Sequence, residues 1–426
     1  MAVAVASLLA GIATPASAQL YGPILGSEFQ PSSDRGRNTS VLERERPEYE
    51  AIGIRAGSFN IYPRVDIGTG YSSNVYGLTT DPKDDVFFVL DPSISAESDW
   101  GTHAVSAEAG ARLRRFASES SKNETGYFAR TDGRIDISRD LSYATGTSFE
   151  KLFEPRSSGS FPVDALASVP YYRTFAYGRL TRQGGRVRSI LGVDFTHVDF
   201  DNVEAIGGGT LNQKDRDRSV ARVTGRADYA VTPDVSLFGQ LSYAKTDYER
   251  PLVIGLANRD GDEVRAIAGA SFDLTALVRG QIGLGYVKRS YHSPIYPDLG
   301  GLAAEARFEY FVTELTTMTA AVRRYIEDAN IVGSGGYYVT NMSVGIDHEL
   351  LRNLLLNARA EYEFDDYRGV VGNGKGLSLS TGARYFANRS VGVAFDLGYL
   401  ERKSNDPLIG QSFDEFHGTV SLILQR

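Results

Sequence analysis

Hydrophobic and polar residues alternate along most of this chain with a period of two. In residues 338–347, Tyr, Thr, Met, Val and Ile alternate with Val, Asn, Ser, Gly and Asp. This is the period of a β-strand with one apolar face. The pattern restarts over residues 354–364, where the other face carries Arg359, Glu361 and Glu363. Unpaired charges do not fit a dry core, so this face is predicted to line water.

The same alternation begins at Ala56 and recurs to the end of the chain. It predicts strands at residues 58–75, 86–98, 103–115, 126–138, 143–153, 171–182, 187–198, 219–230, 235–245, 263–273, 278–288, 302–311, 316–325, 338–349, 354–364, 376–385, 390–400 and 413–424. Connections alternate between short ones, such as 183–186, and long ones, such as 154–170. An even strand count with alternating connections is typical of a bacterial membrane barrel. We therefore predict an all-β fold, a transmembrane antiparallel up-and-down β-barrel of about 18 strands over residues 56–426, with short periplasmic turns and long outer loops.

The distribution of charges on the predicted lipid-facing side supports this register. A charge at the bilayer midplane costs ~2–4 kcal/mol on that side, and the apolar faces carry cations only at their outer ends. These cations are Arg115, Lys151, Lys245, Lys288 and Arg324. We predict that they contact lipopolysaccharide phosphates. The alternative is that long side chains simply reach water, and Glu401, at the same level, weakens the pattern.

Charges of both signs occupy the inward positions. The predicted lumen charges are Arg64, Asp66, Arg112, Arg114, Arg130, Asp132, Arg134, Asp136, Arg222, Arg226, Arg265, Arg307, Arg359 and Glu361. They could form a ladder of ion pairs that stiffens the wall. They could also form a polar track along which a hydrophilic polymer slides, with Arg binding carboxylates in bidentate fashion. A barrel of this size is wide enough for an aqueous channel.

The amino-acid composition does not alter the prediction of a β-barrel. A net charge of -8 and a mean hydropathy of -0.23 resemble those of a soluble protein, because lipid-facing and lumen-facing residues cancel in any average. The chain has no Cys, which excludes disulfides and thiolate metal sites. The acidity argues against a nucleic-acid partner. No cofactor and no enzymatic activity are predicted, since no two of the five His are placed for a metal site. A Ser–His pair stays open, because its members meet only in the fold.

Both ends of the chain carry signals. Residues 1–18 are small and apolar and end in Ala16-Ser17-Ala18, which predicts a secretory signal peptide cleaved after Ala18. Residues 19–55 are polar and are predicted to form a flexible periplasmic arm, either an inert linker or a docking peptide or lumen plug. The alternation over residues 416–424 resembles the closing strand that barrel-insertion machinery recognises, without the usual final aromatic. Segments 154–170 and 199–217 are expected to be loose surface loops, with the alternative that they fold inward and narrow the pore.

The residues around the first predicted strand resemble those of a known protein family. Arg46-Pro47-Glu48-Tyr49-Glu50, the stretch 53–59 (GIRAGSF), Tyr62-Pro63 and the stretch 68–76 (GTGYSSNVY) resemble the opening of the putative outer-membrane beta-barrel porin-2 family of proteobacteria. The resemblance implies a Gram-negative outer-membrane pore that secretes a capsular or exopolysaccharide with a periplasmic polysaccharide-export protein. It carries no functional residues over to this chain.

Two other functions remain open beside polysaccharide export. One is a general diffusion or uptake porin for small hydrophilic solutes, and the other is a plugged structural barrel. A diffusion porin predicts stand-alone conductance and an inward-folded loop, whereas an export conduit predicts a lumen open to hydrated glycan.

Overall fold

The chain forms one closed antiparallel β-barrel. The computed structural model describes residues 38–253, 255–275 and 277–426, so the predicted signal peptide and part of the predicted arm lie outside the described residues. The barrel strands are β1 (Phe59–Ser72), β2 (Asp85–Ser98), β3 (Ala104–Phe116), β4 (Glu124–Asp136), β5 (Leu141–Glu154), β6 (Val169–Gly184), β7 (Val187–Phe200), β8 (Arg218–Thr232), β9 (Val235–Tyr248), β10 (Gly261–Leu274), β11 (Val278–Tyr291), β12 (Leu299–Thr313), β13 (Thr316–Asp328), β14 (Gly336–Leu351), β15 (Leu354–Tyr367), β16 (Asn373–Phe386), β17 (Val391–Ser404) and β18 (Phe413–Gln425).

Each strand pairs with its neighbours in sequence, and β18 returns to β1. The closing register runs from Arg64 opposite Gln425 to Ser72 opposite His417. A short strand, Ile54–Ala56, folds back onto the start of β1. Closure leaves no unpaired strand edge, which is the condition for a sheet to lie in lipid. The predicted fold class is confirmed, and each of the eighteen predicted segments overlaps one of these strands.

The outward face of the barrel is apolar. Val344, Leu241 and Leu284 are exposed on this face, and Val344 lies between Ala320 and Ala360 of the adjacent strands. Exposed apolar side chains recur on nearly every strand, so they form a continuous surface rather than isolated positions. A surface of this kind must face something other than water. No helix in the described ranges is long and apolar enough to cross a membrane.

Three clusters of buried apolar residues extend to one end of the barrel. One cluster contains Phe161, Val198 and Phe200, a second contains Tyr291 and Tyr296, and a third contains Tyr337, Tyr367 and Ile409. These residues lie near the ends of strands that the long loops connect, and the second cluster also continues along the inner wall to Ile267 and Phe238. The loops therefore have an apolar core of their own, packed across the opening of the barrel.

The two ends of the barrel differ in their connections. At one end, which we call the short-turn mouth, β6 joins β7 through residues 185–186 and β14 joins β15 through residues 352–353. Gly185 has a φ of +58°, a conformation that tight hairpin turns require and that glycine adopts at little cost. At the other end, the long-loop mouth, the connections include residues 155–168, 201–217 and 249–260. Residues 41–50 and Arg426 lie at the short-turn mouth.

Candidate functional site

The predicted lumen charges mostly face partners within the wall. Along single strands, ion pairs join Arg64 to Asp66 (2.7 Å), Arg134 to Asp136 (3.2 Å), Arg226 to Asp228 (2.6 Å) and Arg307 to Glu309 (3.2 Å). Between strands, they join Arg130 to Glu150 (2.9 Å), Arg265 to Glu305 (3.6 Å) and Arg359 to Asp347 (3.8 Å). Pairs of this kind hold neighbouring side chains in place and stiffen a wall.

The remaining predicted lumen residues have other contacts. The Tyr177 hydroxyl donates to Asp132 (2.8 Å) and the Asn341 amide donates to Glu361 (2.6 Å). Arg112 and Arg114 lie over the rings of Phe128 and Phe87, at 5.6 and 5.7 Å from the ring centres. Arg222 lies opposite Asp194 in register. The use of these charges as a track for a moving solute stays a prediction.

The loop of residues 155–168 crosses the long-loop mouth. The Tyr367 hydroxyl donates a hydrogen bond to the carbonyl of Gly159, and a Cβ at Gly159 would lie 2.7 Å from the Tyr337 hydroxyl. The loop starts at the end of β5, whereas Tyr337 is on β14, nine strands further round a ring of eighteen. The loop therefore reaches the opposite wall. The expectation of a loose surface loop is wrong here, because the loop has apolar and hydrogen-bonding partners across the lumen.

Polar contacts fix the base of this crossing loop. Glu154 and Arg216 form a buried ion pair (2.7 Å), and the hydroxyls of Ser158 and Ser160 also donate to Glu154. The Arg156 guanidinium donates to the carbonyl of Tyr76 at 2.6 Å. Burial lowers the pKa of Arg156 to about 10, so the side chain stays protonated at neutral pH. The base of the loop is thus held by buried charged side chains.

Other long loops fold inward beside it. Arg259, in the loop of residues 249–260, donates to the carbonyl of Asp215 (2.9 Å) and to that of Ala329. Asp328 pairs with Arg218 (3.0 Å) and also with Arg289. The segment 199–217 is therefore not a loose surface loop either. Together these contacts narrow the long-loop mouth.

The described part of the N-terminal arm lies across the short-turn mouth. Val41 is fully buried and its backbone N–H donates to the Thr317 hydroxyl (3.0 Å). Arg46 is buried against Glu349 (2.7 Å). Of the two alternatives left open by the sequence, these contacts fit a lumen plug better than an inert linker. Four of the charged residues that suggested a solvated linker, Glu43, Arg44, Arg46 and Glu48, have ion-pair partners on the barrel.

Main-chain carbonyls of the arm extend this contact to the turns. The Arg352 side chain donates to the carbonyl of Glu45 (2.8 Å), that of Arg389 to the carbonyl of Pro47 (2.8 Å) and that of Gln425 to the carbonyl of Tyr49 (3.3 Å). These three side chains come from different parts of the mouth. The arm is therefore tied to the barrel over most of residues 41–50.

The predicted rim cations lie at the long-loop end, and each has a protein partner. Lys245 pairs with Asp247 (2.8 Å), Lys288 with Asp298 (3.6 Å) and Lys151 with Asp201 (3.9 Å). Arg324 donates to the Thr340 hydroxyl (2.6 Å), and Arg115 donates to the carbonyl of Glu124 (2.6 Å). Three of the five thus have a carboxylate within reach. Lipopolysaccharide contact stays a prediction.

One Ser–His pair comes together in the fold. His197 Nδ1 lies 3.0 Å from the Ser219 Oγ, on adjacent strands, and both side chains point outward by strand alternation. In the described ranges no carboxylate hydrogen-bonds to the His197 ring, so the third member of a nucleophilic triad is missing there. Within the same ranges, no group of three or more His, Asp and Glu side chains is placed to hold a metal ion.

A closed barrel with an apolar outer surface, a charged inner wall and loops folded into one mouth defines a membrane channel protein of the porin class. The sequence profile of the family described as putative beta-barrel porin 2 matches residues 46–426. The chain belongs to this family and is a β-barrel porin of the outer membrane. The resemblance inferred from residues 46–76 is thereby confirmed, and the match covers all eighteen barrel strands.

Solved structures of similar shape are also outer-membrane barrels. OpdK from Pseudomonas aeruginosa is 11% identical with a TM-score of 0.44, over 86% of this chain and 99% of that one. A BenF-like porin from Pseudomonas fluorescens Pf-5 is 12% identical (TM-score 0.45, coverage 86% and 99%), and the siderophore receptor PiuA from Acinetobacter baumannii is 10% identical (0.45, 88% and 82%). No curated protein gives a significant match. The family assignment rests on the family profile.

Proposed function

We propose that this protein is a diffusion or uptake channel for small hydrophilic solutes. The observation that carries this proposal is the loop of residues 155–168, which crosses the long-loop mouth to Tyr337 and Tyr367. A loop anchored on both walls divides the opening and limits the size of the solute that can enter. A channel that passes small molecules benefits from such a restriction, because it excludes larger ones.

The short-turn mouth adds a second restriction. The arm of residues 41–50 is bonded there to two turns of the barrel and to the last residue of β18. A hydrated polysaccharide would have to pass both mouths as an extended chain. The description of the family names a porin and no polysaccharide, so polysaccharide export has no support beyond the initial resemblance.

Reconstitution into planar bilayers and liposomes tests the proposal. We expect the purified barrel to conduct ions alone, and liposomes that contain it to swell with monosaccharides faster than with oligosaccharides. A variant in which residues 157–166 are replaced by two glycines should conduct more and admit larger sugars.

Two outcomes would contradict the proposal. If neither the unaltered barrel nor the variant with the shortened loop conducts, the protein is a plugged structural barrel. If the unaltered protein passes long dextran chains as readily as small sugars, it is a polymer conduit.

A further inference from the structure

A cavity lies between the N-terminal arm and the barrel wall at the short-turn mouth. Its volume is about 180 Å³. Leu42 and Tyr49 of the arm line one side, and Leu355, Phe386 and Ile423 of the barrel line the other. The cavity therefore exists only where the arm is in place. Its lining is apolar over much of the surface, and the charged residues Arg44, Arg46, Glu50, Arg64 and Glu97 line the rest.

Arg384 of β16 lines the same cavity. Its side chain is buried, with 9% of the residue exposed. No hydrogen bond or ion pair to Arg384 is present among the residues that the structure describes. This sets it apart from the arginines beside it, since Arg64 is bound to Asp66 at 2.7 Å and Arg46 to Glu349 at 2.7 Å.

The register of the sheet explains why Arg384 has no hydrogen-bonding partner within the described part of the barrel. The residues directly opposite it on the adjacent strands are Leu355 and Ala394, and neither can accept a hydrogen bond through its side chain. Asp396, Asp66 and Asp347 act on Arg384 from a distance, and Arg64 and Arg359 oppose them. A buried guanidinium without a partner is unfavourable, because it has lost its hydration and gained no anion in return.

We propose that this cavity binds a small monocarboxylate with an apolar body, whose carboxylate pairs with Arg384. The planar guanidinium fork matches a carboxylate through two parallel hydrogen bonds. The apolar lining suits a branched aliphatic or an aromatic body. The volume fits this size, since an apolar cavity of about 150 Å³ holds benzene. Leu42 and Tyr49 would then make the bound solute a bridge between arm and barrel.

This inference deepens the proposed function by naming a class of solute held at the short-turn mouth. The test is direct binding, which does not depend on conduction. Radiolabelled benzoate is equilibrated by dialysis with the folded full-length barrel in detergent, and benzamide and 3-methylbutanoate serve as competitors. Benzamide has the shape of benzoate without its charge, whereas 3-methylbutanoate keeps the carboxylate on a smaller body.

We expect saturable binding of benzoate, competition by 3-methylbutanoate, and competition by benzamide at least about tenfold weaker, as for the loss of a charge-assisted pair. Arg384→Gln should weaken benzoate binding by a similar factor, roughly tenfold or more. Arg384→Lys should retain part of the affinity, because it keeps the charge and loses the fork. Arg182→Gln, at the same end of the barrel but paired with Asp140 outside the cavity, is the matched control and should bind benzoate normally.

Equal competition by benzamide, or unchanged binding in a folded Arg384→Gln variant, would overturn the proposal. Folding of each variant is checked by its heat-dependent shift on a denaturing gel. If neither Arg384 variant folds, the comparison of benzoate with benzamide on the unaltered protein decides. Conductance is measured on the same preparations. Conduction without benzoate binding rejects this site alone, and binding without conduction rejects the proposed channel alone.

Discussion

Single residues decide how tightly the long-loop mouth is crossed. Gly159 sits where a Cβ would meet Tyr337 Oη at 2.7 Å and Asp365 Oδ2 at 2.8 Å. Both neighbours are buried, so neither side chain can move aside freely. The absence of a side chain at this position allows the loop to reach the opposite wall.

Gly159→Val should therefore release the crossing loop and increase conductance. The β-branched side chain cannot fit against Tyr337 and Asp365, so the loop tip must lift from the far wall. Single-channel recording in planar bilayers measures the effect. Gly207→Val is the matched control, since Gly207 lies in another long loop with no atom within 4 Å of its would-be Cβ. A Gly159→Val channel with unaltered conductance would show that this contact does not restrict the pore.

The contacts of Gly159 and Arg384 could not be predicted from the sequence alone. Strand alternation alone places Arg384 inside the barrel, as the one charge on the inward face of residues 378–384, although it was missing from the predicted lumen set. Alternation cannot reveal that its two cross-strand neighbours are Leu355 and Ala394. The register between strands depends on closure of the whole sheet. The surroundings of Arg384 can therefore be read only from the folded barrel.

At the scale of elements, the arm and the crossing loops behave as parts of the barrel. The arm buries Val41 and Arg46 and places Glu43 beside Arg279 at 3.3 Å. Burial favours the neutral form of Glu43, but hydrogen bonds from Ser40 and the charge of Arg279 outweigh it and lower the pKa of Glu43 below 4.5. The ionised carboxylate thus stabilises the docked arm.

Acidification should weaken docking of the arm. Because the pKa of Glu43 is lower in the docked state, its contribution is complete above about pH 4.5 and is lost as the pH falls through the lowered value. The chain has no Cys, so Glu45→Cys carries a single nitroxide label at an exposed arm position. Its electron paramagnetic resonance lines should sharpen on acidification.

Glu43→Gln in the labelled protein provides the comparison. It removes the titrating group, so its spectrum at neutral pH should already resemble that of the acidified parent. Spectra of both proteins that stay broad and alike from neutral to acidic pH would show that Glu43 does not hold the arm.

At the scale of the whole molecule, alternation and closure place every strand with one face outward. Val344 points outward between Ala320 and Ala360, and its neighbour Ser343 points inward between Ala321 and Glu361. The two positions differ by one residue along β14. Substitutions at Val344 and Ser343 therefore compare the lipid-facing side of the barrel with the lumen side at the same height of the same strand.

Val344→Lys should destabilise the barrel in lipid by ~2–4 kcal/mol, the cost of a cation near the midplane on the lipid face. Ser343→Lys should cost little, because the lumen is polar and Glu361 is directly opposite. Urea titration of folding into phosphatidylcholine bilayers measures both. Equal effects of the two substitutions would mean that the assigned faces of β14 are wrong.

The alternation of residue types by itself determined the strands, their number and which face of each meets lipid. These properties are local, because every second residue must suit the same environment and each strand pairs with the next along the chain. The tertiary structure decided what fills the two mouths. Tyr367 and Gly159 are 208 residues apart, and Val41 and Thr317 are 276 apart. Such contacts depend on the diameter of the closed barrel and on the register between its strands. Neither property is determined by any single stretch of sequence.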